Sequence, residues 1–228
     1  MSTINTQISA QRARLGTMSP RYRAYAALGI GALCIGFSAI FTKWAATPGP
    51  VSAFYRVAIA SAVLFVPYAL SETRRRGTDK SSFGLPWIAF VLTALAGLFF
   101  ALDLGFWNTS LLYTSAANST LLGNTSTLWV AVGATLVFKE ALKRRFWAGM
   151  AIAVVGAAIV VGRDVFEHPH LGWGDLLALS SSVFYAIYML LTQRARRYMG
   201  TLSFMWVASA AATVLLLAYV LIMGEPLT

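Results

Sequence analysis

The sequence predicts an all-α polytopic membrane protein of about seven transmembrane helices, and three observations carry that prediction. Apolar residues make up 58% of the 228-residue chain and charged residues 11%, where a soluble domain carries about 25% charge. A chain so poor in charge could not wet a soluble surface, so lipid is the missing solvent. Apolar runs also recur at spanning length, each near the roughly 20 residues needed to cross about 30 Å of hydrocarbon. Finally, the basic residues fall in alternate connections rather than evenly along the chain. The lone Cys34 cannot form an internal bridge, which excludes a disulfide framework.

Residues 1–23 form a polar, basic tail. They are not a signal peptide, because the apolar run that follows is long enough to span and shows no cleavage site. The first span is predicted over Ala24–Ala46 and stops at Pro48, Gly49 and Pro50. The second covers Val51–Leu70 and gives way to a charged connection with Gly77. The third covers Leu85–Trp107, followed by a polar connection from Asn108 to Ser119. The fourth, Ala116–Phe138, ends at a basic hinge, and the fifth, Phe146–Gly162, ends before Pro169 and Gly172. Trp173–Thr192 and Leu202–Met223 complete the set. No connection is long enough to hold a soluble domain.

Charge orients the bundle. Arg12, Arg14, Arg21 and Arg23 precede the first span, and Arg74, Arg75, Arg76 and Lys80 follow the second. Lys139, Lys143, Arg144 and Arg145 follow the fourth, and Arg194, Arg196 and Arg197 follow the sixth. The other side keeps only Lys43, Arg56 and Arg163. The positive-inside rule therefore puts the N-terminus in the cytoplasm and the C-terminus outside. It also accounts for the net charge of +10 without nucleic acid, for which the interleaved aromatics are missing.

Ionisable residues within a span are costly and mark candidate sites. At 1.5 Å per residue, Lys43, Arg56 and Asp103 all fall in roughly the outer third of the bilayer. One reading is an outward vestibule that attracts a carboxylate or phosphate, with Arg56 and Asp103 close enough to pair. The other is a structural salt bridge with the basic side chains snorkelling to the interface. Around this layer hydroxyls and amides are dense. Thr120, Asn124 and Thr127 share a face of the fourth span, which should line a helix contact or a wet cavity. Asn108, Asn118 and Asn124 begin N-x-[ST] triplets, an alternative of glycosylation that the short connection disfavours. Trp44, Trp87, Trp107, Trp147 and Trp173 sit at span ends, as an interfacial belt requires. Trp129, Tyr185 and Tyr188 lie deeper, and both tyrosines share a face with Ser181, either as cavity wall or as plain packing. Gly149, Ala153 and Ala157 offer a close helix contact on the fifth span.

No catalytic motif is present, so no enzymatic activity and no cofactor are expected. His168 and His170 lack partners for a metal site. A receptor would place its N-terminus outside, and a retinal protein needs a lysine in its last span, which Leu202–Met223 lacks.

The segment from Leu102 to Gly162 places a small/hydroxyl connection before a helix ending at Glu140, then a basic hinge and a Gly-rich helix. This order resembles the end of the first EamA repeat of the drug/metabolite transporter superfamily. Pro50 and Arg56 at the head of the second span resemble that family's second helix, and His170–Arg197 resembles the opening of its second repeat. Where many members carry a proline in the fourth helix, this chain has Thr127. The resemblance implies a first repeat over 24–162 and an incomplete, inverted second repeat over 163–228, so that the chain is expected to be a longer protein cut short. It also implies export of small metabolites, amino acids or related compounds, across a bacterial inner membrane by alternating access. Glu140 would then be a hinge residue, or simply the ion-pair partner of Lys143 or Arg144. The expected substrate cavity lies between the third, fourth and sixth spans and includes Arg56, Asp103, Asn118, Asn124, Trp129, Tyr185 and Tyr188. Expected partners are the bilayer and a small metabolite. The alternative is a non-transporting membrane protein: a scaffold, a regulatory partner or an inactive remnant.

Overall fold

The computed structural model describes residues 20–45, 47–78, 87–139, 141–167 and 172–225. Their helices are α1 (Pro20–Ala45), α2 (Gly49–Thr78), α3 (Trp87–Tyr113), α4 (Ala116–Asn124), α5 (Ser126–Val137), α6 (Arg144–Glu167), α7 (Trp173–Ala195) and α8 (Thr201–Met223). Six stretches are long and apolar enough to cross a membrane: α1, α2, α3, the α4–α5 pair, α7 and α8. With 24 residues, α6 reaches about 36 Å and supplies the further helix of a seven-span bundle. Lys80, Glu140, His168 and His170 lie outside the described residues, as do the side chains of Lys43 and Arg163.

The chain divides at Phe41. The first unit contributes most of α1, where Phe37 stacks on Phe41. The second, from Thr42 onward, holds the remaining helices. Within it α3 packs most extensively on α7, and α8 packs on both α2 and α3. Around these four helices lie two buried clusters in which alanines pack against a few larger side chains. Ala53, Val57, Ala101, Ala212 and Leu216 form one. Ala96, Ala195, Met199, Phe204 and Ala208 form the other. Such residues suit a bundle in lipid, where close van der Waals approach replaces the hydrophobic drive. At Gly97 an added Cβ would stand 2.7 Å from the Cβ of Ala211 and 2.8 Å from the Ala208 carbonyl, so α3 and α8 meet there nearly backbone to backbone.

Two boundaries differ from the sequence expectation. The predicted Asn108–Ser119 connection is helical through Tyr113 and again from Ala116. Its polar residues are those of a loop, but three of them bond back to carbonyls of the preceding helical turn. Asn108 Nδ2 donates to Leu104 O at 2.6 Å, Thr109 Oγ1 to Gly105 O at 2.7 Å and Ser110 Oγ to Trp107 O at 2.7 Å. What remains is a tight turn, in which Ser115 caps α4 by accepting from the Asn118 amide at 3.0 Å.

The fourth span, expected as one helix, breaks at Thr125. The Thr125 hydroxyl lies 2.6 Å from Leu122 O and 3.0 Å from Ser182 Oγ, sharing its proton between them. The backbone tightens with it: Thr125 N bonds Leu122 O at 3.1 Å, and Leu128 N bonds Thr125 O at 2.9 Å. Hydroxyl back-bonding of this kind bends helices, so no proline is needed.

Helix ends are tied down individually. Asp175 in the first turn of α7 accepts from the Gly172 amide at 3.3 Å and from Thr114 Oγ1 at 2.7 Å, where a carboxylate also meets the positive end of the helix dipole. Gly224 closes α8 at φ +66° with Glu225 N bonded to Val220 O at 3.1 Å, a left-handed cap that glycine adopts without strain. The small-residue stripe expected to seat the fifth span does not do so among the described residues. Gly149 and Ala153 on α6 are exposed, and nothing lies within 4 Å of a Cβ placed on Gly149.

Candidate functional site

A cavity of about 280 Å³ opens between α2, α3, α7 and α8. Arg56, Val57, Ala60 and Leu64 form one wall, Phe100 and Leu104 a second, and Tyr188 with Met205, Ala208 and Ser209 the rest. By helix rise, Arg56 lies about 10 Å below the start of α2 and Tyr188 about 22 Å below the start of α7. The cavity therefore straddles the middle of a membrane some 30 Å thick. The expected set was the third, fourth and sixth spans, whereas this cavity lies against the second, third, sixth and seventh. The reason lies in α3: Phe100, Leu104 and Asn108 recur every four residues and turn one face towards α2 and α8.

Arg56 is the cation of this cavity. Its Nη1 donates to Asn108 Oδ1 at 3.1 Å and to Thr42 Oγ1 at 3.3 Å, and its guanidinium lies 5.7 Å from the centroid of the Trp107 ring. Asn108 is fully buried and donates its own amide to Leu104, so its oxygen is aimed at the arginine. Arginine presents five donors in a planar fork, and a cation over an indole face gains further attraction.

Asp103 takes a different partner. It is buried, and its Oδ1 accepts from Ser181 Oγ on α7 at 2.6 Å. It was expected to be within pairing distance of Arg56, and by rise the two residues do lie at about the same depth. The carboxylate hydrogen-bonds to α7 and the guanidinium to Asn108 and Thr42, and the two charges still act on one another electrostatically.

Aromatic rings connect the two polar groups. Tyr188 stacks on Phe100 with centroids 4.9 Å apart, and Tyr185 lies 5.7 Å from Tyr188. Phe204 closes the far side of Tyr188 at 6.3 Å.

Of the residues expected in the cavity, then, Arg56 and Tyr188 line it, while Asp103 and Tyr185 stand beside it. The other three lie elsewhere. Asn118 is buried at the start of α4 and Asn124 is exposed. Trp129 Nε1 donates to Ser182 Oγ at 3.1 Å, joining the Thr125 break to α7. Sequence reasoning missed Thr42, Phe100, Met205 and Ser209. Only the polar ones could have been found from it: Thr42 closes an apolar run, and Ser209 interrupts a run of alanines.

The four helices thus hold a cavity with one arginine and an aromatic wall, of the kind that polytopic membrane proteins build between spans. The chain belongs to the EamA-like transporter family, whose pattern it matches over residues 23–162. An uncharacterized transporter of Archaeoglobus fulgidus is 29% identical over 174 residues, which cover 75% of this chain and 57% of that protein. The uncharacterized transporter YyaM of Bacillus subtilis is 25% identical over 146 residues, covering 63% of this chain and 46% of its own. The chain thus spans about half the length of these relatives. No solved structure matches it.

Proposed function

We propose that the chain carries a small organic solute bearing a carboxylate or similar anionic group, an amino acid or a related metabolite, across a bacterial inner membrane with its N-terminus in the cytoplasm. The observation that carries this reading is Arg56 at the wall of a cavity of about 280 Å³. The arginine attracts the anionic group. Phe100 and Tyr188 bound the apolar part of the solute and limit its size. Asp103, held by Ser181, supplies negative charge for an ammonium group near the arginine. Alternating access would expose this midplane site to each side in turn. The family and the similarity to proteins named as transporters support the same reading.

The test is uptake of a panel of radiolabelled amino acids and simple carboxylates into proteoliposomes. Arg56→Ala should abolish uptake of whichever solute is carried, and Asp103→Asn should selectively impair solutes with an ammonium group. Wild-type uptake by both variants, each inserted normally, would remove these residues from the site.

A further inference from the structure

We propose that the basic end of the bundle is a binding site for an anionic phospholipid. The headgroup would sit between two connections, with the acyl chains lying along the helices below.

The α5–α6 connection carries Lys139, Lys143, Arg144 and Arg145, and the α7–α8 connection carries Arg194, Arg196 and Arg197. All these side chains are exposed. The two connections are brought together: the Arg197 guanidinium lies 5.8 Å from the centroid of the Phe138 ring at the end of α5. Lys139 follows at φ 55°, a left-handed conformation that a lysine adopts only at a cost.

Charge alone would fit any polyanion. What narrows the ligand is the surface next to these cations. Leu136 and Val137 are 74% and 67% exposed on the last turn of α5. Phe146 and Trp147, at the head of α6, are also exposed and meet edge to face at 6.0 Å. Tyr198 adds an exposed ring beside Arg197. Cations, aromatic rings and exposed aliphatic side chains thus occur within a few residues of one another, matching the headgroup, glycerol and acyl layers of a phospholipid. A soluble nucleic acid or phosphate would engage only the first layer. Aromatic side chains favour the interface, and basic pockets between spans favour anionic headgroups.

The full chain is reconstituted in nanodiscs of phosphatidylcholine containing phosphatidylglycerol, and the lipids retained after extraction are counted by native mass spectrometry. Phosphatidylglycerol should be retained in preference to phosphatidylcholine, and each of Arg194→Gln and Arg196→Gln should lower that preference about fivefold. Arg74→Gln and Arg75→Gln, which remove the same charge from the end of α2, should leave it unchanged. Equal retention of the two lipids overturns the proposal, as does an equal loss in both pairs of variants. So does capture of single-stranded RNA by detergent-solubilised protein that shows no lipid preference. If the α7–α8 variants do not fold, a salt titration of the unaltered chain decides, since the preference must weaken as screening rises.

Discussion

The α3–α7 contact and the α4–α5 span draw on the same residue types and treat them in opposite ways. Between α3 and α7, Thr93, Asp103, Ser181 and Ser182 are all buried, with alanines at 89, 96, 178 and 186 between them. Along the fourth span Thr120, Asn124 and Thr127 share a face that remains exposed. The difference is in the neighbours rather than in the polar groups. Alanine on both helices lets two backbones approach until a hydroxyl reaches across, as Ser181 reaches Asp103. On α4 the buried polar residues are Asn118 and Ser119, while Thr120, Asn124 and Thr127 are left on the outer face.

Substitutions can break that contrast or sharpen it. The largest effect is expected at Gly97, where α3 meets α8 with no room for a side chain. Gly97→Leu should destabilise the bundle by about 3 kcal/mol, seen as a lower unfolding midpoint in detergent, and a midpoint equal to wild type would show that the helices separate freely. Ser181→Ala should cost about 2 kcal/mol, because it leaves a buried carboxylate oxygen without its donor. In a double-mutant cycle with Asp103→Asn most of that loss should disappear. Ser182→Ala removes an acceptor used by both Thr125 and Trp129, worth about 1 kcal/mol in a membrane protein, and the change should be visible as altered Trp129 fluorescence. Thr120→Val, on the exposed face, should change stability by no more than about 0.5 kcal/mol. A larger loss there would mean that this face makes contacts of its own.

Most of the fold is legible in the amino-acid sequence. Composition named the solvent, apolar length placed the spans, and both survive in the helices from α2 to α8. The misreadings share one physical origin. Asn108, Thr109 and Ser110 look like loop residues because their side chains compete for backbone hydrogen bonds, and here they compete within an unbroken helix. Thr125 carries the same chemistry and sits at a break, with its hydroxyl bonded both to Leu122 O and to Ser182 on α7. Such residues therefore do not by themselves say whether a helix continues, because that is settled by packing the local sequence does not contain. The site was legible in part for the same reason. Arg56 stood out as a charge within a span, whereas Phe100 and Met205 are ordinary apolar residues until three other helices enclose them.

The break at Thr125 also sets a mechanical ratio. α5 is 12 residues long, a rigid arm of about 18 Å fixed at one end by the hydrogen bonds of a threonine, a serine and an indole. A rotation of about 10° at that joint would carry the Val137 end through about 3 Å, comparable to the length of a hydrogen bond. The basic connection that follows Val137 would travel with it. A pivot at the middle of the fourth span would take its stiffness from the hydrogen bonds of Thr125, Trp129 and Ser182.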